Sequence, residues 1–430
     1  MQIIKNELLN EYVYHEKLHN NMDVFFMPKR GFTKKYAVLA TNYGSNDLEF
    51  ISPHTNEKIK VNEGIAHFLE HKMFEQPDGS NAFDDFAKIG ANANAFTNFN
   101  MTAYLFSSTE NFEEGLRHLI SYVQEPYFTE ENVEKEKGII AQEIKMYDDN
   151  PDWKLFFNTL KAMYKVHANS IDIAGTVESI YKITPDELYS CYKTFYSPSN
   201  MALFVIGELE KDEIMNIVKS TVKDEFMFDG EIKRIEPLET DEVRQKEIIE
   251  QLDVSVPMFS IGYKDKAAVL GAKDLMKKSI VTELILDILF KKGSQLYDKL
   301  YREGLVFGGI SCDYTEHIDY GYTIISGETR DIEAVKHEIF SAIESAKISG
   351  IDEADFERAK KKKIGSFIKS FDSIEFIANN YLSYYFKGMD ILDYYEVLKS
   401  IEIEALNERL KEHFDNDMSV ISIIMPKEDK

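Results

Sequence analysis

FTEENVEKEKGIIAQEI (Phe128–Ile144) and IDEADFERAKKKKIGSF (Ile351–Phe367) carry the same pattern, that of a charged amphipathic helix. Further on, ITPDELYSCYKTFYSPSNMALFVIG (Ile183–Gly207) parallels IEIEALNERLKEHFDNDMSVISIIM (Ile401–Met425), each a short helix leading into an apolar strand. Upstream, GSNAFDDFAKIG (Gly79–Gly90) pairs with GSQLYDKLYREG (Gly293–Gly304), both ending in Gly and both followed by a strand-like run. The matches keep the same order in both halves, which argues for an internal duplication. Its seam falls in the charged, poorly periodic DGEIKRIEPLETDEVRQKE, so the expected domains are 1–228 and 248–430 around a linker at 229–247.

Within a half, MDVFFMP and KYAVLATNYG read as strands, while NFEEGLRHLISYVQ and EIFSAIESAKISG read as helices with apolar residues three and four apart. Strands and helices do not alternate regularly. That favours an α+β class, two homologous domains each with a mainly antiparallel β-sheet and helices packed on one face, over a doubly wound fold.

Composition agrees with a large folded chain: 430 residues, 44% hydrophobic and 13% aromatic, enough for two cores and too much for general disorder. The formal charge of −25 is spread along the sequence without a Lys/Arg-rich block, which argues against nucleic acid or an anionic membrane surface as partner. Solubility accounts for that charge; an acidic chamber that attracts basic peptides is the alternative. The two cysteines, Cys191 and Cys312, supply neither a disulfide framework nor a Cys-rich zinc site, so any metal must be held by His and carboxylate. The N-terminus lacks a basic region followed by an apolar core, and no run of about 18 apolar residues occurs. A soluble, cytoplasmic protein is expected.

GIAHFLEHKMFE (Gly64–Glu75) concentrates the chemistry. On a helix, His67 and His71 at i and i+4 lie roughly 40° apart, and Glu70 lies roughly 60° to the other side of His67. Two imidazoles and a carboxylate then converge, as a zinc site with an adjacent general base requires. H-x-x-E-H is the inverzincin pattern. A third protein ligand is needed, and VEKEKGIIAQEIKMYDDNPDW offers Glu136 and Glu143, seven residues apart and on one helix face. Glu143 stands among Ile139, Ile140 and Ile144, where an unpaired carboxylate is costly. A solvated acidic stripe is the other reading of that helix.

HFLEH, followed about seventy residues later by EKEKGIIAQE and then DDNP, resembles the insulinase or pitrilysin family of zinc metallopeptidases. The likeness runs through nearly the whole chain and is closest to bacterial single-chain members of about this length. It implies one Zn²⁺ per chain on His67, His71 and Glu143, with Glu70 as general base and Glu136 supporting the site. It also implies two similar α+β domains per half-clamshell, two halves closing around a chamber that admits peptides or small unfolded proteins. In GANANAFTNFNMTAYLF the family uses an edge strand to which substrate pairs, and Asn94 and Ala95 match its substrate-contact positions. An ordinary core strand is the equal alternative on sequence alone.

Two departures matter. Where the repeat aligns, Glu136 and Glu143 fall against Ala359 and Ser366, and the His-Glu-His segment falls against TELILDILF, which has no histidine. One metal site per chain follows. The family's second half carries an Arg and, six residues on, a Tyr that hold substrate and its oxyanion. Here LYREGLVFG places Tyr301 and Phe307 at those positions, with Arg302 adjacent. The expectation is therefore a zinc endopeptidase that hydrolyses peptides with a paralogous partner subunit supplying the Arg/Tyr pair, a homodimer being the other arrangement. The rival readings are a non-catalytic structural or assembly subunit and a peptide-binding chaperone of the same fold.

Overall fold

A computed structural model describes residues 2–228, 230–266 and 270–427. In the first half of the chain the strands are β1 (Gln2–Asn6), β2 (Glu11–Lys17), β3 (Asp23–Pro28), β4 (Lys35–Thr41), β5 (Glu49–Ile51), β6 (Lys58–Lys60), β7 (Asn92–Thr97), β8 (Thr102–Ser108), β9 (Met201–Gly207) and β10 (Lys233–Arg234). The helices there are α1 (Ile65–Lys72), α2 (Ala82–Lys88), α3 (Phe112–Val123), α4 (Glu130–Asp148), α5 (Pro151–Met163), α6 (Val177–Ile180), α7 (Pro185–Phe195) and α8 (Lys211–Thr221). The second half adds β11 (Glu247–Leu252), β12 (Met258–Lys264), β13 (Phe307–Glu316), β14 (Gly321–Glu328) and β15 (Ser419–Pro426). Its helices are α9 (Ala272–Leu289), α10 (Gln295–Arg302), α11 (Ile332–Ser349), α12 (Glu353–Ser370), α13 (Ile374–Phe386), α14 (Tyr394–Ser400) and α15 (Ile403–His413).

The chain forms two compact units, one made of 1–144, 171–236 and 370–386, the other of 145–170, 237–369 and 387–430. The first holds a seven-stranded sheet ordered β1-β2-β3-β9-β4-β8-β7, antiparallel except for the β3/β9 pair. The second holds a five-stranded sheet ordered β11-β15-β12-β14-β13, antiparallel except for β11/β15. Removing β1 and β2 from the first leaves β3-β9-β4-β8-β7, the same connectivity and the same single parallel pair. The repeat read from sequence thus reappears as topology.

In the first unit Val24, Phe26, Leu39, Tyr104, Phe106, Leu203 and Val205 turn one sheet face into a core shared with α1, α3, α7 and α8. The local sequence sets where several of these helices begin. Thr184 and Glu187 form a capping box ahead of α7, with Pro185 just inside the helix. Asn81 caps α2 through Phe83 N–H. Thr129 and Asn132 exchange hydrogen bonds at the start of α4.

The opposite face of this sheet is covered too. Phe25 and Phe204 pack on Tyr381 of α13 with ring centroids 4.9 and 4.8 Å apart. Tyr385 donates to the buried Asp23 at 2.6 Å, and Tyr36 donates to Asn379 at 3.2 Å. The second unit mirrors this with α5, which lies on β12 and β15. Thr159 donates to Ser260 at 2.8 Å, and a Cβ on Gly262 would stand 2.0 Å from Met163 Cε. Each half of the chain therefore lends one helix to the other half's sheet, and the units are discontinuous in sequence. One layer of helices per sheet matches the sequence reading; the loaned helix on the second face is an addition to it.

Part of the stretch 229–247 is built into these units. β10 pairs with β5, and Arg234 reaches Asp47. Farther on, Glu239 accepts the backbone N–H groups of Lys165, Val166 and His167 and an ion pair from Lys264. Asp229 lies outside the described residues. Among the described residues no helix is long and apolar enough to cross a membrane.

Candidate metal centre

Helix α1 carries the H-x-x-E-H pattern, and its two faces divide as its spacing requires. Ile65, Phe68 and Leu69 are buried in the core, while His67, Glu70 and His71 face away from them toward α4 and β7. Its start depends on Gly64, held at φ 85°, where a Cβ would lie 2.3 Å from the Ala174 carbonyl oxygen. No side chain of ordinary shape fits there.

His67 Nε2 lies 3.7 Å from Glu143 Oε1, and His71 Nε2 lies 3.4 Å from Glu143 Oε2. The three donor atoms fall within 4.8 Å of one another, and among the described residues no other set of three His, Cys, Asp or Glu donors does so. Ligand atoms sharing one tetrahedral zinc at about 2.0–2.2 Å stand roughly 3.4 Å apart, so the donor set and its spacing fit that ion. Glu143 is 22% exposed and its neighbour Ile139 is 48% exposed, so the carboxylate sits at the lip of the core and its apolar surroundings are thinner than its sequence neighbours suggest.

The two imidazoles are held differently. His71 Nδ1 faces Glu136 Oε1 at 3.1 Å, which fixes Nδ1 as the donor and leaves Nε2 for the shared point. His67 Nδ1 is buried without a hydrogen-bond partner. Burial, reinforced by the neighbouring His71, pushes the His67 pKa down to about 3, so that ring is neutral near pH 7. For His71, burial works against the charged form but is outweighed by the Glu136 hydrogen bond and by the charges of Glu143, Glu70 and Glu136, and its pKa is raised.

Glu70 is buried beside the two rings and accepts the Thr97 hydroxyl at 2.6 Å. Burial raises its pKa, with Thr97 and His71 pulling the other way. Burial acts to raise Glu136 as well, but the hydrogen bond and charge of His71 and the charge of Lys72 win and lower it. The carboxylate that supports His71 thus stays ionised, while Glu70 is biased toward taking up a proton.

The centre opens into a cleft of about 470 Å³ whose lining includes Glu70, His71, Phe74, Phe83, Asn94 and Ala95. Asn94 and Ala95 sit on β7, the terminal strand of the seven-stranded sheet, so among the described residues no strand pairs with its outer edge. An extended peptide could add there through main-chain hydrogen bonds. Thr97 and Lys72 were not singled out from sequence. Thr97 was legible as lying two positions beyond Ala95 on the same strand face, and Lys72 as a lysine on the core-facing stripe of α1.

Among the described residues the second half has no comparable cluster. Ala359 is buried and Ser366 exposed on α12, and α9 presents no histidine. Tyr301 and Arg302 end α10 in solvent, Arg302 lying 3.8 Å from Asp298, and Phe307 opens the edge strand β13 beneath the Arg330 guanidinium. In the same unit Thr323, His413 and Asp265 are linked as a hydroxyl–imidazole–carboxylate chain at 2.7 and 3.5 Å. All three are buried and Asp265 is engaged by Arg409 and Lys278, which makes the chain a core ion-pair network.

The family model described as Insulinase (Peptidase family M16) matches residues 54–177, and that described as Peptidase M16 inactive domain matches residues 182–363. The chain is 45% identical over 425 residues to the uncharacterized zinc protease YmfH of Bacillus subtilis, covering 99% of each. It is 36% identical to an M16-like chain of known structure from Alicyclobacillus acidocaldarius, with a TM-score of 0.92 over 97% of this chain and 99% of that one. A protease of known structure from Helicobacter pylori, at 19% identity and TM-score 0.81 over 96% and 99% of the two chains, shares the fold. The chain belongs to the insulinase family, peptidase family M16.

Proposed function

We propose that this chain is a zinc-dependent endopeptidase acting on peptides or small unfolded proteins. The observation that carries the reading is the convergence of His67, His71 and Glu143 donor atoms within 4.8 Å, with Glu70 alongside and the open edge of β7 across the cleft. Zinc, when bound there, would acidify a water and polarise the scissile carbonyl. The chain's own residues do the rest. Glu70, buried and held by Thr97, takes the water's proton and returns it to the leaving amine. Glu136 keeps His71 oriented. Asn94 and Ala95 line the edge along which the peptide backbone is laid.

Replacing Glu70 by Gln should leave zinc bound and lower turnover by at least about 10²–10⁴-fold. A variant with normal rates would remove the assignment.

The oxyanion side is supplied by a related partner subunit. What supports this is Tyr301 and Phe307 at the positions where the family pattern has Arg and Tyr. The purified chain alone is expected to be nearly idle against a peptide panel and to gain activity with such a partner. Full activity of the isolated chain, unchanged by replacing Arg302, contradicts that arrangement.

A further inference from the structure

Lysine is among the residues least often fully buried, because its ammonium loses strong hydration. Lys72 is 0% exposed. It continues the core-facing stripe of α1 set by Ile65, Phe68 and Leu69, where an aliphatic side chain would pack without cost. Its Nζ turns out of that stripe to meet two carboxylates: it forms an ion pair with Glu75 and lies 3.8 Å from Glu136 Oε2. The other oxygen of Glu136 faces His71 Nδ1 at 3.1 Å. A continuous line therefore runs Glu75, Lys72, Glu136, His71. His67, whose Nδ1 has no partner, has no such line behind it.

We propose that Lys72 is a positioning residue for the metal site: it holds Glu136 with Oε1 on His71 Nδ1, so that His71 presents Nε2 to the metal. The inference rests on the metal reading above and extends it to a residue that touches neither metal nor substrate. Without the cation, Glu136 keeps a single partner and is free to turn toward solvent in the cleft. The tautomer and ring orientation of His71 are then no longer fixed.

The test is zinc affinity of the full chain, measured by competition with a chromophoric chelator. Lys72→Met should weaken binding by about 10–100-fold, the usual cost of losing an outer support, and Glu136→Gln should do likewise. Because Lys72 acts through Glu136, the double variant should bind no more weakly than Glu136→Gln alone. Unchanged affinity in Lys72→Met, or losses that simply multiply in the double variant, overturns the proposal.

Lys72→Met/Glu75→Gln, which removes the carboxylate left unpaired, should show the same loss as Lys72→Met, and wild-type affinity there overturns the proposal as well. A measurement needing no variant is the His71 Nδ1–H resonance in the zinc-loaded wild type. It should be present and slow to exchange, and its absence counts against the proposal. Wild type that binds no zinc overturns the metal reading and this inference together. Wild type that binds while the Lys72 variants bind equally overturns this inference alone.

Discussion

His67 and His71 stand four residues apart on one helix yet have opposite acid–base behaviour. Burial drives the His67 pKa down to about 3, while the carboxylates around His71 outweigh its burial and raise its pKa from the ordinary imidazole value. A proton and a metal compete for the same Nε2 of His71, so metal affinity should fall as the pH is lowered through its raised pKa, and His67 should add nothing to that fall. Competition titrations across the neutral and mildly acidic range test this, and affinity independent of pH contradicts it. At this scale the sequence was informative wherever spacing was local. The i, i+4 histidines, Glu70 between them and the seven-residue interval from Glu136 to Glu143 all follow from helical period. The meeting of α4 with α1 is a tertiary event: the need for a third ligand and the apolar neighbours of Glu143 nominated α4, and the family resemblance chose Glu143 over a solvated acidic stripe. Thr97 and Lys72 escaped notice because their partners, Glu70 and Glu136, lie 27 and 64 residues away.

The element that the site depends on most is α1, and its entry is the vulnerable point. Gly64→Ala puts a methyl 2.3 Å from the Ala174 oxygen in a left-handed backbone, costing about 1–3 kcal/mol in strain. Because the shift needed to relieve it moves His67, the variant should lose zinc affinity as well as melting temperature. A variant with wild-type zinc binding would show that the helix start and the site are not coupled. The strand β7 shows a different limit of sequence reading. GANANAFT was legible as a strand, but its place at the end of the sheet is decided by how β4, β8 and β9 pair, which strand pattern alone does not encode.

For the whole molecule, the duplication was readable because order and pattern repeat, and the two sheets confirm it in their strand order. The loan of α5 and α13 between halves was not, although one signal existed. β9 and β12 are buried along their whole lengths, and MALFVIG is a continuous apolar run, the mark of a strand covered on both faces. Periodicity shows that a face is covered without showing by what. It follows that residues 1–228 expressed alone lack α13 and leave Phe25 and Phe204 bare on one sheet face. That fragment should be aggregation-prone and melt without cooperativity, whereas a soluble fragment with a sharp transition would contradict the exchange.

Whether His67, His71 and Glu143 together hold a catalytic zinc is decided by metal analysis of the purified chain beside His67→Ala, His71→Ala and Glu143→Gln. One zinc per wild-type chain is expected, removable by a chelator together with the peptidase activity the chain gains with its partner subunit, and substoichiometric zinc in each variant; equal zinc in all four proteins, or none in the wild type, would contradict the assignment.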